Sequence, residues 1–188
     1  MDLSSRTEPL IFSGTSHPEL AQQIAAQLGV NLGCLDLGSF PDGEVSVQVK
    51  ESVRGRDVFV VQSIAGRPNY YLMELLILID ALKRASAKSI VAVISYFGYC
   101  RQDRKDRPRV PITAKLVANL VVNAGATRVL TMDLHAGQVQ GFFDIPVDHI
   151  SARPVLAAAV TEQEERRDDL VVVTPDIGSV KLSFEYAG

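Results

Sequence analysis

Residues 96–109 read YFGYCRQDRKDRPR, setting five cations (Arg101, Arg104, Lys105, Arg107 and Arg109) around two carboxylates, Asp103 and Asp106. The stretch follows SIVAVIS, an apolar run that reads as a buried strand. Guanidinium forks match phosphate oxygens in pairs, so cations delivered at a strand end suit a phosphorylated ligand. The competing description is a solvated turn whose charges pair internally. Residues 131–135, TMDLH, place Asp133 and His135 two apart on a strand and therefore on one face. Such a pair suits an oxygen-bound divalent cation with one imidazole, or a plain Asp–His hydrogen bond. Residues 174–178, TPDIG, put Asp176 where a strand hands over to a helix, as a ligand or as a cap.

The charge is local. The chain has 188 residues and a formal net charge of −3, so everything outside the basic segment is markedly acidic. A general nucleic-acid binder spreads its cations over a face; one concentrated segment points instead to a pocket for a small anion. No G-x-x-x-x-G-K-[ST] or G-x-G-x-x-G loop occurs, which speaks against a P-loop nucleotidase and a dinucleotide enzyme, and no G-x-S-x-G elbow suggests a hydrolase. A polyphosphate site built from arginines and a carboxylate-held metal remains. Mg²⁺ fits it, because that ion takes one or two protein ligands and keeps waters and substrate oxygens.

The elements that must position these residues alternate along the chain. PLIFSG reads as a strand, and residues 16–19, SHPE, as a capping box opening a helix that stops at Gly29. FPDG at 40–43 is a turn. Val45, Val47 and Val49 then alternate with polar residues as an antiparallel excursion within the sheet. DVFVVQSI, SIVAVISYF and TRVLTMDLH read as strands, with helices NYYLMELLILIDALKRAS and TAKLVANLVVNAG between them. The unbroken apolar run 75–79 must be covered on more than one side, and a subunit interface is one way to do it. A helix RPVLAAAVTEQEERR and a strand DLVVVTPD follow. The style changes near Ser151, so the expected domains are 1–150 and 151–188. The expected fold is α/β with a mostly parallel sheet flanked by helices.

With 47% hydrophobic and 22% charged residues, a sizeable core is available. No apolar stretch is long enough to span a bilayer, and the start, MDLSSRTEPL, lacks a signal-peptide pattern. The expectation is a cytoplasmic protein with no membrane or nucleic-acid partner. Cys34 and Cys100 lie outside any C-x-x-C spacing and are expected to be reduced thiols.

FPDGEVSVQVKESVRGRDVFVVQS, LMELLILIDALKRASA, YFGYCRQDRKDRPRVPITAKLVANL, TMDLHAGQVQGFFDIPVD and TPDIG together resemble the ribose-phosphate pyrophosphokinases, in that family's order, from about Phe12 to Gly178. The resemblance implies a phosphoribosyltransferase-like domain with the beginning of a second similar one. It also implies transfer of a diphosphoryl group from Mg-ATP to ribose 5-phosphate, giving phosphoribosyl pyrophosphate and AMP. By that likeness Phe40, Asp42 and Glu44 hold the adenine end of an ATP bound at a neighbouring subunit, Phe40 stacking on the base. Arg101, Gln102 and Asp106 meet the nucleotide from the other side, the interleaved carboxylates holding the arginines in place. Asp133 and His135 match the magnesium signature, and Asp176 matches a second metal or ribose position. Asp144 and Asp148 are further metal candidates, and self-association as a homo-hexamer is implied.

Two departures set the expectations for activity. No acidic pair with a Thr-Gly-Gly-Thr loop for the sugar phosphate occurs, nor the later mobile basic loop, and GSVKL at 178–182 stands where a double glycine and then a basic residue are usual. The chain alone is therefore expected to be inactive as a diphosphokinase. The alternative is a non-catalytic nucleotide-binding member that regulates full-length subunits.

Overall fold

The computed structural model describes residues 8–163, 171–174, 176–177, 180 and 183–184. In chain order the elements are β1 (Leu10–Ser13), α1 (Pro18–Gln27), β2 (Leu35–Ser39), β3 (Val45–Val49), β4 (Asp57–Val61), α2 (Pro68–Arg84), β5 (Ser89–Ile94), α3 (Thr113–Ala124), β6 (Arg128–Met132), a 3-10 helix (Gly137–Phe142), β7 (Val147–Ile150) and α4 (Arg153–Gln163). Two compact units divide between Ile150 and Ser151.

In the first unit β1, β4, β5, β6 and β7 lie side by side in that order, every neighbouring pair parallel. This is the α/β architecture expected, with helices against a parallel sheet. Strand residues alternate between faces. Leu10, Phe12, Val58, Val60, Ile90, Ala92 and Ile94 join the core with α2 and α3, while Ile11 and Val61 face Ala21 and Ala25 of α1. Burial on both sides explains why β4 and β5 read as continuous apolar runs. No helix among the described residues is long and apolar enough to cross a membrane.

Several expectations change. The β2–β3 hairpin is a separate two-stranded antiparallel sheet, not an excursion within the main one. Its Leu35, Val47 and Val49 pack on the main core, so its half-buried face is satisfied by side chains rather than by ladder bonds to β1 or β4. β3 and α3 also pack on α2. Leu75, Leu78 and Ile79 are thereby fully buried and Leu76 and Ile77 half-buried within one chain, so the 75–79 run does not itself require a second subunit.

The cap of α1 is His17, whose side chain accepts the Leu20 N–H at 3.2 Å. Ser16 lies one residue too early for that role and is spent elsewhere: its hydroxyl donates to Gln62 Oε1 (2.6 Å) and accepts the Ser63 N–H (2.7 Å). Strand β7 was not foreseen, because VDHI is short and half polar; its partner β6 supplies the pairing.

In the second unit α4 begins where expected. Residues 164–170, with part of the expected strand and part of the following segment, lie outside the described residues. Residues 171–174 form no strand, and Val171 and Val173 are more than 80% exposed (81% and 82%). Ladder partners and a covering layer make a strand of such a run, and no described residue supplies them.

Candidate functional site

The loops leaving β5 and β6 emerge side by side, since Ile94 pairs with Thr131 at the carboxyl ends of both strands. The first loop is tied down at several points. Ile64, just beyond β4, donates its N–H to the Tyr96 carbonyl at 3.0 Å. Tyr99 takes the left-handed backbone conformation (φ 65°), and its hydroxyl bonds the Asn69 side chain on α2. The Gln102 N–H returns to the Tyr99 carbonyl at 3.0 Å, and the Gln102 carbonyl accepts Ala114 N–H at 3.1 Å, one of the amides that the start of α3 leaves without a helical partner. The Thr113 hydroxyl bonds the Gln102 side chain. The loop is thus closed onto the helix that follows it.

Cys100 joins this loop to the one after β6. It is buried in the main core, with the backbone N–H groups of His135 and Ala136 set to favour its thiolate form. Burial pushes its thiol above the usual range, against the opposing pull of those two backbone N–H groups.

Between the loops lies a cleft of about 420 Å³ lined by Arg101, Gln102, Asp103, Arg104, Asp106, Arg107, Val110, Pro111 and His135. A recess of about 160 Å³, lined by Tyr96, Phe97, Cys100, Arg101, Asp133, Leu134 and His135, continues it, with Arg101 and His135 in both walls. None of the five loop cations makes an ion pair with a described residue. The expectation that the interleaved carboxylates hold the arginines is corrected: Asp103 instead accepts a bond from Gln138 Nε2 at 3.3 Å. Arg101, Arg104 and Arg107 line the cleft without an ion pair to a described residue, which favours a polyanion there.

Asp133 takes φ 43°, a left-handed conformation that costs a residue other than glycine roughly 1–2 kcal/mol. Bonds to β7 offset that cost. The Asp133 N–H donates to the Ile150 carbonyl at 3.1 Å and the Leu134 N–H to His149 Nε2 at 3.0 Å. Strain at a residue of the recess, held by its surroundings, is a common mark of a functional position.

The structure therefore gathers Arg101, Gln102, Asp106, Asp133 and His135 around one cleft and its recess. Phe40, Asp42 and Glu44 form the β2–β3 turn, closed by Phe40 N–H to the Glu44 carbonyl (2.8 Å) and Glu44 N–H to Asp42 Oδ1 (3.2 Å). Phe40 is 54% exposed, and none of the three lines either cavity. Asp144 pairs with Lys115 at 3.8 Å and Asp148 with Arg128 at 2.9 Å, and neither lines the cleft. Asp176 is exposed and belongs to the second unit.

Among the described residues no three His, Cys, Asp or Glu side chains converge as a metal cage. The donors lining the recess include one carboxylate and one imidazole. They fit a cation that completes its shell with water and ligand oxygens, as Mg²⁺ does, and not a closed structural site. Sequence reasoning missed His149 and gave Cys100 little weight. Neither had a local signal, since His149 holds a peptide N–H distant in the chain and Cys100 is buried against the loop after β6.

Residues 9–125 match the family model described as the N-terminal domain of ribose phosphate pyrophosphokinase. The chain belongs to the ribose-phosphate pyrophosphokinase family. It is 60% identical over 178 residues to a ribose-phosphate pyrophosphokinase of Clostridium perfringens, covering 94% of this chain and 56% of that protein. It is 58% identical over 177 residues to one of Fusobacterium nucleatum, with the same coverage of 94% and 56%. The crystal structure of phosphoribosylpyrophosphate synthetase from Mycobacterium smegmatis superposes with a TM-score of 0.91 at 47% identity, covering 96% of this chain and 60% of that one. The chain thus spans a little over half the length of these family members. The family model takes in the β2–β3 turn and the basic loop but stops before Asp133 and His135, which the longer matches span.

Proposed function

We propose that this chain carries the nucleotide side of a ribose-phosphate diphosphokinase, which moves the β,γ-diphosphoryl group of Mg-ATP to the anomeric hydroxyl of ribose 5-phosphate. The supporting observation is the shared wall of Arg101 and His135. It joins a cationic cleft sized for a polyphosphate to a recess carrying Asp133. In this reading Arg101 and Gln102 fix the nucleotide. Asp106 lines the same cleft, and Asp133 and His135 hold the metal. The Phe40 turn, exposed and outside its own chain's cleft, meets an ATP on a neighbouring copy, so the protein assembles with itself, as a homo-hexamer on the family pattern. Residues 151–188 open a second domain of the same kind, in which Asp176 meets a second metal or the ribose. Nucleotide and sugar phosphate place the protein in the cytoplasm.

In the reaction the anomeric hydroxyl oxygen bonds the β-phosphorus as the bond from that phosphorus to the α,β-bridging oxygen breaks; the hydroxyl proton passes to solvent and AMP leaves with the bridging oxygen. Mg²⁺, held by Asp133 and His135, would supply neutralisation of the phosphate charge. Arg101 and its neighbours add fixed positive charge where negative charge develops, at no cost of reorganisation. In-line placement is the remaining requirement, and holding the sugar is worth as much as about 7–11 kcal/mol of barrier. No loop of the 5-phosphate-gripping type is found here, so the chain alone should bind nucleotide without turning it over usefully.

Calorimetry tests the reading. Mg²⁺-dependent ATP binding should appear in the native chain and weaken at least about tenfold in Arg101→Ala and in His135→Ala, since each removes a charged or metal contact. Equal binding by all three would remove the site from this cleft. AMP formation from ATP and ribose 5-phosphate should be slow with this chain and fast with a version extended by the family's C-terminal half; equal rates would show that a sugar site exists within these 188 residues.

A further inference from the structure

His149 stands on β7 opposite Thr131 of β6, beyond the ion pair that its neighbour Asp148 makes with Arg128. Its ring Nε2 accepts the Leu134 N–H at 3.0 Å, and its Nδ1 lies 3.4 Å from Gln140 Nε2 in the 3-10 helix. The preceding peptide is held from the same strand, by the Ile150 carbonyl on the Asp133 N–H at 3.1 Å. Two consecutive N–H groups, one on each side of the Asp133 α-carbon, are thus fixed by two consecutive residues of β7. Between them Asp133 adopts φ 43°, where the chain turns out of the strand. Leu134, whose amide His149 holds, separates the two recess residues Asp133 and His135.

We propose that His149 is a positioning residue for the metal site: by accepting the Leu134 N–H it locks Asp133 in its left-handed conformation and so keeps Asp133 and His135 directed into one recess. The inference rests on the nucleotide reading given above. The Ile150 carbonyl is backbone and would survive any substitution, whereas the second clamp is a side chain and can be removed. Without it the Leu134 amide is free to rotate, Asp133 relaxes toward the extended region, and the two donors no longer share a preformed arrangement. Hydrogen-bond partners that orient ligands commonly change metal affinity by ten- to hundred-fold. A purely structural role would instead lower stability without touching the metal dependence.

The experiment compares the native chain with His149→Ala, which removes the acceptor, and His149→Asn, which supplies a carboxamide oxygen in its place. ATP binding is measured by calorimetry at a series of Mg²⁺ concentrations and with no metal, and exchange of the Leu134 amide is followed by NMR. His149→Ala should need about tenfold more Mg²⁺ for half-maximal binding, with metal-free ATP affinity within about twofold and faster Leu134 exchange. His149→Asn should recover most of the Mg²⁺ dependence and the protection. An unchanged Mg²⁺ midpoint in a folded His149→Ala would overturn the proposal. If His149→Ala does not fold, His149→Asn decides: a Mg²⁺ midpoint that follows the Leu134 protection, both kept or both lost, supports the role, and a midpoint and protection that part company overturn it. Absence of Mg²⁺-dependent ATP binding in the native chain would overturn the nucleotide reading itself, a failure distinct from that of the His149 clamp.

Discussion

Glu74 of α2 and Gln62, just past β4, meet at 2.7 Å with both side chains only 1% exposed. The Glu74 carboxylate also accepts the Thr15 N–H and the Thr15 hydroxyl, each at 2.7 Å. Gln62 in turn accepts the Ser16 hydroxyl and donates to the Tyr71 carbonyl at 3.2 Å. This buried network fastens the segments leaving β1 and β4 to α2, at the same sheet edge as the cleft.

Removing the carboxylate leaves those donors unsatisfied inside the protein, and each buried orphan costs about 1–3 kcal/mol, not additively. Glu74→Ala should therefore lower unfolding stability by about 3 kcal/mol or more, and Glu74→Gln, which keeps one acceptor, by less. Urea unfolding of both variants checks this. Equal, small losses would mean that the network is not held as tightly as its distances imply.

Gly98 is constrained by space and not by its backbone angle. A Cβ there would sit 2.8 Å from the Ile64 carbonyl oxygen and 2.5 Å from Ile64 Cγ2, and the carbonyl belongs to a backbone that cannot swing aside. Gly98→Ala should push the basic loop away from β4, with a stability loss of about 1–3 kcal/mol and weaker Mg-ATP binding. Native nucleotide affinity in a folded Gly98→Ala would show that the loop does not depend on this contact.

Unpaired cations make a salt-dependent site. The Debye length falls from about 10 Å at 0.1 M salt to about 3 Å at 1 M, so ATP affinity at fixed free Mg²⁺ should fall at least about fivefold over that range. Titrations at the two ionic strengths measure it. A flat response would mean that the arginines are neutralised in solution.

The two thiols should behave differently. Cys34 is exposed and Cys100 buried, so iodoacetamide near pH 8 should label Cys34 first and Cys100 only on unfolding. Mass spectrometry of the labelled peptides reads this, and comparable rates would contradict the burial. The Cys100 thiol is raised by burial above its ordinary value of about 9. The unfolded chain therefore loses that proton first, and folding stability declines as pH rises above that value, with no contribution from Cys100 below it.

What the sequence determined by itself was whatever depends on near neighbours or on residue chemistry. β1, β4, β5 and β6 were legible as apolar runs because strands buried on both faces need no polar alternation, and α1, α2 and α3 were legible from periodicity and stop signals such as Gly125. Arg101 stood out as a strand-end cation, and Asp133 with His135 as a same-face pair open to a metal or to a plain hydrogen bond; Gln102 and Asp106 came only from the family resemblance, and the structure shows that all five line one cleft and its recess. The tertiary structure decided which distant groups meet. Ser16 read as a cap and became a partner of Gln62; the β2–β3 hairpin read as part of the sheet and packed on the core beside it; Asp144 and Asp148 read as metal candidates and were placed in ion pairs. His149 carried no local signal at all. Its ring reaches the Leu134 amide only because β7 pairs in parallel with β6 at one particular register, and register is set by packing across the whole sheet, which no short stretch of sequence contains.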